Sequence, residues 1–292
     1  MKRILVVLLI ICLYHIQGNA QTIQGQDRQL LFHNLGFGVV SSGVGAIINK
    51  PKNQKLGICL RNSLLQGLAG GGLLYAAKRM DNLIYREQAT GWAWPSHIIH
   101  AVGYSMIENA ASGRPAFQSW NFSLGPVRFD YNLAMEHRFR ARLLPSTVMG
   151  IYYARDLGGR FDWKTSLELG QMVYKHQGLI NNYGALAQGV AFGRTIVYAD
   201  LPSIKHDVLG HELIHTYQFN ELQVINTYTN PLTKKVKNKI LLSIFTDYIY
   251  ADVPWIWFIY PYAGNFDNAH HYQNWFEFEA QHFSSYNIVD RK

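Results

Sequence analysis

Cysteine and charge are both scarce in this chain of 292 residues. There are two cysteines, Cys12 and Cys59, and Cys12 sits in an apolar run near the N-terminus. If that run is removed, Cys59 is left alone, and one cysteine cannot form an internal disulfide. The fold must then rest on its core or on a metal. Cys59 reads as a small buried apolar residue. Ile11, just before Cys12, is not small, which argues against a lipid anchor on that thiol. Charged residues make up only 16% of the chain, against 14% aromatics. So few charges and so many rings point to a large core, extensive apolar contact or a membrane surface. The formal charge is +8. The lysines are mostly dispersed, so this balance does not argue for a nucleic-acid partner.

No long apolar run opens the chain either. Ile4 to Ile16 is too short to span a bilayer comfortably. It follows the basic Met1-Lys2-Arg3 and precedes the small residues Gly18-Asn19-Ala20. This is the pattern of a secretory signal peptide, residues 1–20, cleaved after Ala20. An exported protein, periplasmic, envelope-associated or secreted, is expected.

Beyond it, two regions can be told apart. Residues 21–114 are rich in Gly and Ala and mostly helical in pattern. Small residues at close spacing let helix backbones approach one another. Gly70, Gly71 and Gly72 each weaken an isolated helix by about 1 kcal/mol relative to alanine, so tight packing must offset them or the chain must turn there. Arg61, Asn62, Ser63 and Gln66 weigh against a membrane span in residues 56–78. His97 and His100, at i and i+3, read as a hydrogen-bonded structural pair rather than a second metal pair.

Residues 115–292 begin with strand-like alternation. Trp120–Gly125, Val127–Tyr131, Phe139–Leu143 and Trp163–Leu169 mostly place apolar side chains at every second position, predicting a mostly antiparallel sheet. Gly193–Ala199 predicts a further short strand. Asp200-Leu-Pro-Ser203 breaks it, with Ser203 as N-cap of a helix running to about Phe219. Val208, Leu209, Leu213 and Tyr217 are its expected buried flank.

That helix carries His211-Glu212-Leu-Ile-His215, an H-E-x-x-H string. Residues four apart share a helix face, so the two imidazoles can reach one metal ion. Zn²⁺ suits such a site, because two imidazoles and a third protein ligand leave one position for water. The metal lowers the pKa of bound water from 15.7 to about 7, and Glu212 is placed to act as general base. Downstream, Asn274–Ala280 has helical character and two carboxylates, Glu277 and Glu279.

This arrangement over residues 185–285 resembles the gluzincin metallopeptidases, in particular the membrane-associated ones with an E-x-x-A-D motif on a later helix. Here the matching string is Glu277-Phe-Glu279-Ala280-Gln281, with glutamine where the family has aspartate. The resemblance implies an α+β fold. A Gly/Ala-rich helical N-terminal region and a mostly antiparallel sheet would precede a zincin-like H-E-x-x-H helix, and a later helix would carry the third ligand. It implies His211, His215 and Glu277 as zinc ligands, with Glu279 the alternative to Glu277. It also implies hydrolysis of a peptide or protein substrate. A substrate strand could add to an edge strand at 193–199. His270, His271 and Tyr272 are candidate oxyanion donors by their position shortly before Glu277.

Between the two ligand helices lies a basic cluster, Lys234, Lys235, Lys237 and Lys239. An aromatic stretch follows, with Trp255, Trp257, Phe258, Tyr260 and Tyr262. Lysines beside rings match either a peripheral membrane contact or a solvated turn before a core helix. Asp247 and Asp252 argue against a full span there. The rival reading of the whole chain is a non-catalytic envelope protein on a zincin-like scaffold.

Overall fold

The computed structural model describes residues 23–50, 52–136, 138–182, 185–231, 246–263 and 274–284. The expected signal peptide, the lysine cluster at 234–239 and His270, His271 and Tyr272 lie outside these residues.

Three helices form the first layer: α1 (Ile23–Ile48), α2 (Leu56–Arg86) and α3 (Ala93–Ala111). Helix α2 runs unbroken through Gly70, Gly71 and Gly72. The reason lies in its neighbour. A Cβ added at Gly38 of α1 would lie 2.1 Å from the Gly67 carbonyl oxygen, and one at Gly71 would lie 2.3 Å from that of Asn34. The backbones of α1 and α2 are in contact, and dispersion between them offsets the poor helix propensity of glycine. Cys59 is buried, as its type suggests. Within α1, residues Gly25–Ile48 are, among the described residues, the one helix long and apolar enough to cross a membrane; such a helix is weak evidence for a signal sequence or an anchor.

The fold is mixed α+β. Strands β1 (Ser119–Leu124), β2 (Val127–Asn132) and β3 (Phe139–Leu143) form an antiparallel meander. Helix α4 (Pro145–Asp156) follows, and β4 is the short Arg160–Phe161. Trp163–Leu169, expected as a strand, is helix α5. Its termini explain this. The Asp162 side chain accepts the Thr165 N–H as an N-cap, and Gly170 ends the helix at φ 66°. Those capping signals outweigh the alternating pattern.

Five short strands come next: β5 (Met172–His176), β6 (Ile180–Asn182), β7 (Ala185–Ala187), β8 (Gly189–Phe192) and β9 (Thr195–Ala199). β6 and β7 pair as a hairpin, while the larger sheet has the order β4-β5-β9-β8. All strand pairs are antiparallel except β5–β9. The strand expected at 193–199 is therefore central and buried at every residue, not an edge. The edge beside it is β8.

Helix α6 (Lys205–Leu222) carries the H-E-x-x-H string, preceded by a 3-10 turn at Pro202–Ile204. Ser203 lies in that turn and does not cap α6; the N-cap position is Ile204, with no side-chain bond. Val208, Leu209, Leu213 and Tyr217 are buried as expected. So are Glu212, Thr216, Gln218 and Glu221, because α6 is wrapped on several sides. After α7 (Ile225–Tyr228) and α8 (Trp255–Ile259), helix α9 (Trp275–Ser284) closes over it. Leu30, Ile84, Ile196, Leu213 and Phe283 share one core, so the helical region, the sheet and α6 fold against a common interior. Each such side chain contributes about 1.5–3 kcal/mol by leaving water.

Candidate metal centre

One helical turn separates His211 from His215, and their Nε2 atoms lie 3.1 Å apart. Helix α9 brings the third group. Its first turn is fixed by Asn274, whose side-chain oxygen accepts the Phe276 N–H at 3.0 Å. Glu277 then projects at both rings: Oε2 is 3.2 Å from His211 Nε2 and Oε1 is 3.4 Å from His215 Nε2. Ligand atoms about 2.0–2.1 Å from a tetrahedral zinc lie roughly 3.3–3.4 Å from one another. The observed separations match that spacing with little adjustment. Among the described residues, this is the one group of three or more His, Cys, Asp or Glu side chains close enough to share an ion.

Glu279 does not join it. Residues two apart on a helix diverge, and Glu279 points into the interior, where Oε2 accepts from Lys78 Nζ at 2.9 Å. Lys78 is wholly buried on α2 and also pairs with Glu221 at 2.9 Å. Burial alone would raise the Glu279 pKa, but the Lys78 charge outweighs it and holds the carboxyl well below the usual range.

The ring of His215 is oriented by its own helix. Gln218 Oε1 lies 2.8 Å from His215 Nδ1. The amide nitrogen of Gln218 donates to the Phe276 carbonyl at 2.9 Å and to Glu279 at 3.0 Å. With its NH₂ committed to two acceptors, Gln218 presents oxygen to the ring. His215 Nδ1 is therefore a donor, which turns Nε2 towards Glu277, the nitrogen that would be free to ligate an ion once its proton is lost. A ligand histidine held this way is oriented and made more basic. This supports the ring by a route that does not need an aspartate at 281. Burial lowers the His215 pKa, but the Glu277 carboxylate outweighs burial and lifts it to about 9.

Glu212 is 5% exposed and lies under strand β8. A Cβ added at Gly189 would meet Glu212 Oε1 at 2.5 Å. Glycine thus lets the edge backbone run directly past the carboxylate. Phe192, at the far end of β8, packs edge-on against Trp257 with ring centroids 4.5 Å apart.

Tyr260 also enters the site, donating its hydroxyl to Glu277 Oε1 at 2.8 Å. Burial and the nearby carboxylates push its pKa well above 10. As a site residue it is missed by sequence reasoning, which reads it only as one ring of the aromatic stretch. Its spacing from Glu277 carries no motif. His97 and His100 each bind a side chain in the core: His97 Nε2 lies 2.7 Å from an Arg194 nitrogen, and His100 Nε2 lies 3.2 Å from Glu221.

No known protein family, curated protein or solved structure matches the chain.

Proposed function

We propose that the protein is a zinc-dependent peptidase of gluzincin type, with His211, His215 and Glu277 as ligands and Glu212 as general base. The observation that carries the reading is the set of separations among the three ligand atoms, 3.1, 3.2 and 3.4 Å. When bound, zinc would supply an acidified water and polarise the carbonyl under attack. The chain's own residues do the rest. Glu212 takes the proton from the nucleophile and delivers it to the leaving amine. The substrate backbone adds to β8, the edge strand beside Glu212, rather than to β9. Phe192 and Trp257 form an apolar wall there, which favours substrates with an apolar side chain near the bond cut. Tyr260, within reach of a ligand carboxylate, is the described residue placed to donate to a developing oxyanion.

We place the protein at the cell envelope, by export and by peripheral contact. Trp257 is 53% exposed, Phe258 64% and Tyr262 88%, consistent with rings resting at a membrane interface. Their neighbour Ile256 is buried against Phe219 and Phe276, so the aromatic stretch is part core and part surface. Glu212→Gln tests the reading: it should retain the metal and lose hydrolysis of a peptide library by about 10²–10⁴-fold. Equal activity in the two proteins would leave the scaffold reading in its place.

A further inference from the structure

A polar cleft, of about 210 Å³, opens between the meander and the end of helix α3. Five arginines line it: Arg114, Arg128, Arg138, Arg140 and Arg142. Three carboxylates answer some of them. Arg128 bridges Glu108 at 2.7 Å and Asp130 at 2.8 Å. Arg142 also pairs with Asp130, and Arg140 lies 3.3 Å from Asp247. The guanidinium carbons of Arg128 and Arg142 sit 4.1 and 4.7 Å from the centre of the Tyr250 ring. These contacts fix the wall of the cleft before any ligand arrives.

Arg114 and Arg138 have no side-chain hydrogen bond and no carboxylate within 4 Å among the described residues. The Arg114 Nε is buried and unpartnered. Burial lowers the Arg114 pKa despite the attraction of Glu108. A buried guanidinium donor without an acceptor is unfavourable, and a bound anion would supply the missing partner. Five cations against three carboxylates leave an excess of two charges. That excess matches a dianion with oxygens on several sides, which is the geometry guanidinium forks bind best.

We propose that this cleft binds a phosphate monoester. The rim bears on the source. Met135, which lines the cleft, is 42% exposed. Asn49, at the end of α1, bonds the carbonyls of Ala111 and Thr227 at 2.9 Å each, beside the lining residues Ser112 and Thr227. Just beyond Asn49 come the exposed Lys52 and Lys55. An exposed apolar side chain beside a cationic cleft suits a lipid phosphate as well as a free one.

The test uses the purified protein at physiological salt, with inorganic phosphate and glycerol phosphate as soluble probes in calorimetry. The vesicle probes are phosphatidylcholine with and without phosphatidic acid. Saturable 1:1 binding is expected. Arg138→Gln, at an exposed position that should not disturb folding, should weaken it at least tenfold. Arg114→Gln with Arg138→Gln should weaken it further. Lys164→Gln, whose side chain is 85% exposed on α5, should change nothing. Binding to phosphatidic acid vesicles that glycerol phosphate competes away identifies a lipid source. Calorimetric binding without vesicle binding identifies a free one. The proposal is overturned if no probe binds saturably, if Arg138→Gln binds as the parent does, or if Lys164→Gln loses as much.

Discussion

Gln218 Oε1 lies 2.8 Å from His215 Nδ1, and that contact decides which ring nitrogen of His215 faces Glu277. The amide is not free to flip, because its nitrogen is held by Phe276 and Glu279. Behind Glu279 stands Lys78, so a buried chain of polar groups runs from helix α2 to the His215 ring.

Removing Gln218 should therefore loosen the metal without touching a ligand. Gln218→Leu is expected to weaken zinc binding about 10–100-fold, the usual cost of losing a group that orients a ligand. Competition against a chromophoric chelator measures it, with circular dichroism to confirm the fold. His215→Ala should lose the metal altogether. If Gln218→Leu holds zinc as the parent does, the contact orients nothing that matters.

The Lys78–Glu279 pair should show itself in acid. The Glu279 pKa is lower in the folded chain than its ordinary 4.5, drawn down by Lys78 against the opposing effect of burial. The unfolded state then binds more protons, so the pair's contribution is full above pH 4.5 and is lost as pH falls towards 2. Glu279→Gln should flatten that acid limb. At neutral pH it should also cost stability, on the order of 3–5 kcal/mol, since it leaves part of a buried cation unmatched. Denaturant titrations from pH 7 to 3 would read both effects. Parallel pH profiles for the two proteins would contradict the assignment.

The residues most legible in the sequence were those whose role depends on spacing along one element. His211 and His215 come together because four residues make about one helical turn, and Glu277 meets them from α9. The meander strands followed from alternation. The Trp163–Leu169 segment shows the limit of that rule, because Asp162 and Gly170 cap a helix that period alone reads as strand. The edge assignment failed for a different reason. Nothing local in 193–199 records that both β5 and β8 pair with β9. Lys78, Gln218 and Tyr260 were invisible because each matters through a partner far away in the chain or through a contact with no motif. Lys78, 143 residues from Glu221 and 201 from Glu279, is the extreme case.

Two glycines on α1 should respond in opposite senses to the same change. Gly38→Ala puts a Cβ 2.1 Å from a backbone oxygen of α2, so the helices must separate. That should destabilise by roughly 1–3 kcal/mol, as overpacking does. Gly36 has nothing within 4 Å of an added Cβ. Gly36→Ala should stabilise by about 0.5–1 kcal/mol through helix propensity alone. Urea midpoints for the two variants decide it. Equal shifts of one sign would mean that α1 and α2 do not pack as closely as the backbone positions require.

Gly189→Ala tests the edge strand and the general-base role proposed for Glu212 together. The added methyl would meet Glu212 Oε1 at 2.5 Å, Val208 Cγ1 at 2.7 Å and Glu212 Cγ at 2.8 Å. The glutamate side chain is flexible, so it should yield before the strand does. None of these three nearest atoms belongs to His211, His215 or Glu277. Zinc content should therefore stay at one per chain, while the Glu212 carboxylate is moved from its place beside the nucleophile. Misplacement of a reacting group by about 1 Å costs on the order of 10²-fold in rate. The expected result is a folded, metal-loaded protein with kcat lowered by at least tenfold and a smaller change in KM. A Gly189→Ala protein that turns over peptides at the parent rate would show that Glu212 does not need its position under β8. The base would then have to be sought elsewhere in the site.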